Sequence, residues 1–262
     1  MDRPLSHSSF LPPLFSSAPH PLSPPHSVPH PSAAPSVNAA ERPARWSPYQ
    51  DNGGTVVALA GRDYAIVAAD TRFSVSFSIP TREFTKITQL TDRVVLASAG
   101  MGADRQYLHK MLHTRLAMYR HQHQRDMSLP AAAQMLSNTL YSRRFFPIYA
   151  FNVLGGIDSA TGEGFVYGYD AIGSHEQLKV VCSGSGQAIV QPVLDQQFSG
   201  RQRYSVPDAE RAPSLTLEQA TALVRDAFAS ATERDIHTGD ALEMWQITAA
   251  GVRQTRYELR KD

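Results

Sequence analysis

Cysteine is nearly missing from this chain of 262 residues, where Cys182 is the single example. One thiol cannot close an internal bridge. This excludes a disulfide-stapled scaffold and favours a reducing compartment. In the run KVVCSGSG, Cys182 reads as a small apolar core residue. Long hydrophobic runs are also missing, and no stretch approaches the roughly 18 apolar residues a membrane span needs. Neither sign of charge is in excess: the formal net charge is +1, too small for a global attraction to nucleic acid or an anionic membrane. The length suits one large domain with a mostly buried core.

Proline becomes scarce only after residue 50. Residues 1–50 hold 12 of the 18 prolines and four of the ten histidines, with many serines and few charges before Glu41. Such a segment cannot bury enough apolar surface to offset chain entropy, so residues 1–45 are expected to be a disordered, removable extension. SFLPPLF is broken by prolines and lacks a basic flank, which argues against a signal peptide; the shortage of arginine argues against a transit peptide.

Residues 46–262 read as one domain. TVVALA, DYAIVAAD and RVVLASAG are short runs rich in valine and alanine and predict buried strands. Helical spacing follows over 103–122, with Tyr107, Met111, Leu112, Leu116 and Tyr119 in phase, and again over 128–144, with Ser128 as N-cap and Pro130 in the first turn. YAFNVLGGID and GFVYGYD return to strand character around a polar loop. GQAIVQPVLDQ predicts a short helix, and Thr216 with Gln219 predicts a capping box for a helix over 217–235. EMWQITAAG and VRQTRYEL predict a closing hairpin. Helix pairs between groups of antiparallel strands predict an α+β molecule: two stacked sheets with helices on both outer faces.

Four places could carry chemistry: Gly53–Thr55, Asp70, Lys86, and Ser185 with Asp235. Each has a plain explanation when taken alone. Asp70 can cap the end of a strand, Lys86 in FTKITQL can be a solvated edge lysine, and Ser185 in SGSGQ can belong to a helix-entry turn. Asp235 would sit unfavourably at the negative end of a helix dipole, which mildly favours a specific partner for it. SGSG lacks the GxxxxGK context of a phosphate loop. His121 and His123 are two apart and share no helix face, and His109 with His113 has no HExxH carboxylate. No metal or cofactor site is expected.

The order GGT…VVALA…YAIVAADTR, a following lysine, a late SGSG and a final RDxxTGD resembles the proteasome β subunits. The resemblance covers 46–262 and is most specific at NGGT, ADTRFSVSFSI, YSRRFFPIYAFNVLGGID and ERDIHTGDAL. It implies the four-layer αββα sandwich of N-terminal-nucleophile hydrolases. In catalytic members a threonine, freed at its amine by autolysis, attacks the peptide carbonyl, and an aspartate, a lysine, a serine and an Asp–Ser/Thr pair support it. By resemblance those supports fall on Asp70, Lys86, Ser185, Asp235 and Thr238, and the nucleophile's place falls on Gly54, which has no side chain. Thr55 is one residue later and on the opposite strand face. The resemblance therefore implies a non-catalytic subunit of the 20S core particle, in cytoplasm and nucleus. Its partners would be β subunits of its own ring, the opposite β ring and the adjacent α ring, in a hetero-oligomer of twenty-eight chains serving ATP- and ubiquitin-dependent degradation. Residues 1–45 would be a propeptide trimmed by an active neighbour near Arg45. An active threonine peptidase starting at Thr55, or a stand-alone binding protein on the same fold, are the alternatives.

Overall fold

The computed structural model describes residues 46–199 and 215–262. The expected disordered extension, residues 1–45, lies outside the described residues. Within Ser47–Asp262, one compact unit, the chain lays down strands first: β1 (Thr55–Ala60), β2 (Tyr64–Asp70), β3 (Phe73–Val75), β4 (Ser78–Thr81), β5 (Ile87–Thr91) and β6 (Val94–Gly100). Helices α1 (Gly102–His123) and α2 (Leu129–Tyr141) follow, then β7 (Ala150–Ile157), β8 (Gly164–Tyr169), β9 (His175–Leu178) and β10 (Val180–Gly184). The described chain closes with α3 (Gln187–Leu194), α4 (Leu217–Thr232), β11 (Ala241–Thr248) and β12 (Gly251–Glu258).

One sheet has the order β10-β1-β2-β11-β12 and the other β5-β6-β7-β8-β9, with β3-β4 as a small ribbon. Every described pairing is antiparallel. The period of two along β1 creates the layers. Val57 and Leu59 pack with Val190, Leu194, Val224 and Phe228 of α3 and α4. Val56, Ala58 and Ala60 point the other way, onto Val95, Ala97 and Val153 of the second sheet. That sheet's outer face packs Leu96 and Leu154 against Leu108, Leu112 and Leu136 of α1 and α2. The result is the αββα sandwich, with each large aliphatic side chain so buried contributing about 1.5–3 kcal/mol. The layer between the sheets is filled mostly by alanine and valine, which lets the sheets approach closely. The element order and the closing hairpin agree with the sequence reading.

Several boundaries differ from expectation. Helix α2 stops at Tyr141 rather than 144, and tight turns over Ser142–Phe146 lead into Pro147, whose ring disfavours helix in the residue before it. Ser128 holds the N-cap position with extended backbone, yet its side chain makes no capping bond. Helix α4 ends at Thr232, so Asp235 lies in the following turn and not at the helix terminus. The capping box of Thr216 and Gln219 is formed in both directions, at 3.3 and 2.9 Å. The short strands β3, β4, β5, β9 and β10 were not expected, because three to five residues carry too little periodicity to register.

Candidate functional site

The site forms where β1 begins, β2 ends and the turn after α4 returns. Asp70, the last residue of β2, is 1% exposed. Its Oδ1 accepts from the Thr55 N–H at 2.8 Å and from Lys86 Nζ at 3.1 Å. Its Oδ2 accepts from the N–H groups of Arg72 and Gly239, both at 3.2 Å. Lys86, immediately before β5, is buried and not the solvated edge lysine of the plain reading. It donates to Asp70 O and Arg72 O at 2.7 Å each, as well as to the Asp70 carboxylate, so its three ammonium hydrogens are all engaged. Burial is the largest influence on the pair, raising the Asp70 carboxyl and lowering the Lys86 ammonium; each partner's charge opposes that shift.

Gly54 faces this pair. Its φ is +86°, a region that L side chains rarely adopt. A Cβ built there would overlap Lys86 Cε and lie 2.6 Å from Nζ and 3.0 Å from Asp70 Oδ1. The space of a side chain at residue 54 is occupied by the lysine itself. Thr55 points elsewhere. Its fully buried hydroxyl accepts from the Gly186 N–H at 2.9 Å and lies 2.7 Å from Thr238 Oγ1. Thr238 donates to Asp235 Oδ2 at 2.5 Å, which leaves Thr55 as the donor to Thr238. Ser185 Oγ donates to the same Asp235 oxygen at 2.6 Å, and the Ser185 N–H donates to Gly54 O at 3.0 Å.

The seven positions therefore lie together in two groups on either side of the β1 start. Gly54 stands over Asp70 and Lys86; Thr55 joins Thr238, Asp235 and Ser185. A cavity of about 260 Å³ opens beside Gly53, Gly100 and Ser185. Gly54 itself is buried.

The residues before Gly54 are fastened in place. The Asn52 N–H donates to Gly100 O and the Ser74 N–H donates to Asn52 O, both at 3.2 Å, while the Asn52 amide donates to Ser74 O and accepts from the Gly102 N–H at 2.7 Å. Tyr49 stacks on Phe146 at 5.6 Å and donates to Pro147 O at 2.8 Å. Gly54 is thus an interior residue of a packed segment.

A family model for proteasome subunits matches residues 50–247. Proteasome subunit beta type-1 of Petunia hybrida is 50% identical over 219 residues, covering 84% of this chain and 98% of its own. The type-1 subunit of Dictyostelium discoideum is 45% identical, covering 83% of this chain and 91% of its own. The chain belongs to the proteasome subunit family, among the β type-1 subunits. A proteasome subunit beta type-6 from Saccharomyces cerevisiae is 35% identical, over 83% of this chain and 92% of its own.

Sequence reasoning missed Arg72 as a part of this proteasome-family site. It is 2% exposed; Nε donates to Asp240 Oδ2 at 2.9 Å, Nη1 to Ile236 O at 2.9 Å and Nη2 to Asp262 at 3.0 Å. It ties the end of β2 to the turn carrying Asp235 and Thr238. The motifs ADTR and TGD contain both partners, but nothing in their spacing shows that residues 168 positions apart pair. The described residues contain no cluster of three or more metal-ligating side chains, and none of their helices is long and apolar enough to cross a membrane.

Proposed function

We propose that this chain is a non-catalytic structural subunit at the sixth position of the 20S core β ring, helping to build the proteolytic chamber with its neighbours. The observation that carries this reading is Gly54. In the family register it stands where the nucleophile would be, and its Cβ space is filled by Lys86. A peptide bond joins Gly54 to a packed segment, so no free α-amine is available there as a base. Asp70, Lys86, Asp235 and Thr238 then act as structural groups, satisfying buried backbone N–H and C=O groups around the β1 start.

Partners in this reading are β subunits of the same ring, the opposite β ring and the adjacent α ring, in a particle of twenty-eight chains working in the ubiquitin pathway of cytoplasm and nucleus. No cofactor, metal or nucleic acid is required. Residues 1–45 serve as a propeptide removed near Arg45. This is supported by the anchoring of Tyr49 and Asn52, which gives the segment after the cut a built place.

The alternative is an active peptidase using Thr55. The Thr55 hydroxyl is fully buried and engaged with Gly186 and Thr238, which argues against it. Thr55→Val in the assembled particle separates the two readings. Unchanged turnover of every peptide substrate per assembled particle is expected; selective loss of one peptidase activity at equal assembly would overturn the proposal.

A further inference from the structure

Arg105 on α1 is buried, with 5% of its surface exposed. A guanidinium carries five N–H donors and stays charged, and such groups are rarely buried unless paired. Here one donor is accounted for, Nη1 to Thr85 O. The flat face of the group lies 4.1 Å over the Phe84 ring. Among the described residues no carboxylate forms a salt bridge with it. Of the nearby acids, Glu83 holds Arg256 at 2.7 Å, while Glu243 accepts from Thr85 Oγ1 at 2.6 Å and acts on Arg105 through its charge without forming a salt bridge.

The remaining Arg105 donors are not sealed in protein. The residue lines a cavity of about 440 Å³ between β5 and α1. On the α1 side the wall carries Gln106, Lys110 and His113, which with Arg105 fall on neighbouring turns of one helix. Lys110 and His113 are exposed at the mouth. On the strand side, Thr88 and Phe84 contribute a hydroxyl and an aromatic floor. Lys110 is cationic, Gln106 can donate, and the one acid in the lining is Glu83, held by Arg256.

We propose that this cavity is an oxyanion site, with Arg105 at its base and Lys110 and His113 at its mouth, that takes a phosphate or carboxylate group. An oxyanion supplies the acceptors that a buried guanidinium otherwise lacks, and charge-assisted bonds of this kind are about twice as strong as neutral ones. The cavity's lining shares no residue with the groups around Gly54 and Thr55, and the site does not depend on whether Gly54 is catalytically silent.

The test is electron cryo-microscopy of the assembled particle in phosphate-free buffer with added inorganic phosphate, with glutarate, and with chloride at equal ionic strength. Density beside the Arg105 guanidinium in the phosphate or glutarate sample, missing in chloride, is expected, and the sample that shows it identifies the anion class. Lys110→Ala with His113→Ala, both on exposed positions, should weaken binding by about tenfold or more in a titration on the same particle. Arg105→Gln should abolish it; if that variant does not assemble, the double variant decides. An empty cavity in all three samples, a neighbouring chain's side chain filling it, or binding unchanged by the double variant would overturn the assignment.

Discussion

At the residue scale, the proposed structural role turns on residue 54, a glycine whose Cβ space Lys86 fills. Restoring a hydroxyl at residue 54 is therefore not a simple addition. Gly54→Thr places a β-branched residue at φ +86° and drives its Cβ into Lys86. The backbone conformation alone costs about 1–2 kcal/mol, and displacing a packed side chain adds about 1–3 kcal/mol. The expected outcome is a lower apparent unfolding temperature and no new peptide hydrolysis; a gain of hydrolysis would show that the retained shell is still competent. Cys182 is inert by the same kind of accounting. It is buried, and burial pushes its thiol up to about 12, far from the thiolate a nucleophile needs.

Elements are joined here by polar contacts as well as by the core. His109 of α1 sits between two strands of the second sheet. Ser98 Oγ lies 2.7 Å from its Nε2 and 2.5 Å from Asn152 Oδ1, and Thr88 Oγ1 lies 2.7 Å from its Nδ1. The single Ser98 hydrogen goes to Asn152, so Nε2 carries the imidazole proton and Nδ1 accepts from Thr88. Burial, aided by the Arg105 charge, lowers the His109 pKa from 6.5 to about 3. The folded protein therefore resists a proton that the unfolded chain takes up. This contribution is fully present above pH 6.5 and is lost as pH falls from there toward 3, with a slope of up to about 1.4 kcal/mol per pH unit. His109→Gln should flatten that part of the stability–pH curve relative to the parent, as read by chemical unfolding; an unaltered curve would contradict the assignment.

Arg72 joins three segments in the same way, and Arg72→Ala leaves Asp240 buried with only the partly exposed Arg82 as a cationic partner. A loss of about 3 kcal/mol is expected, together with loosening of residues 236–240 in hydrogen exchange. A loss confined to a few tenths of a kcal/mol would assign the cluster little weight.

At the scale of the whole molecule, much of the architecture is legible in residue patterns. The apolar run TVVALA and the helical spacing over 103–122 mark a buried strand and a covering helix, because both patterns span enough residues to be read. Short edge strands escape, since their order comes from neighbours rather than from their own periodicity. The site is legible in a different way. Asp70, Lys86, Asp235 and Thr238 stand out through family motifs, whereas Arg72 and Asn52 do not. Their roles depend on partners brought close only by folding: Asp240 for Arg72, and Ser74 and Gly102 for Asn52. The burial of Lys86 is likewise invisible in FTKITQL, whose composition suits an exposed edge equally well.

The central claim is that residue 54 is an interior glycine and not the start of a working chain. It is tested most directly by identifying the N-terminal residue of this subunit in the purified, assembled particle. A start near Arg45, leaving Tyr49 and Asn52 in their places ahead of Gly54, is predicted. A start at Thr55, with a free threonine amine beside Asp70, would contradict it and return the chain to the peptidases.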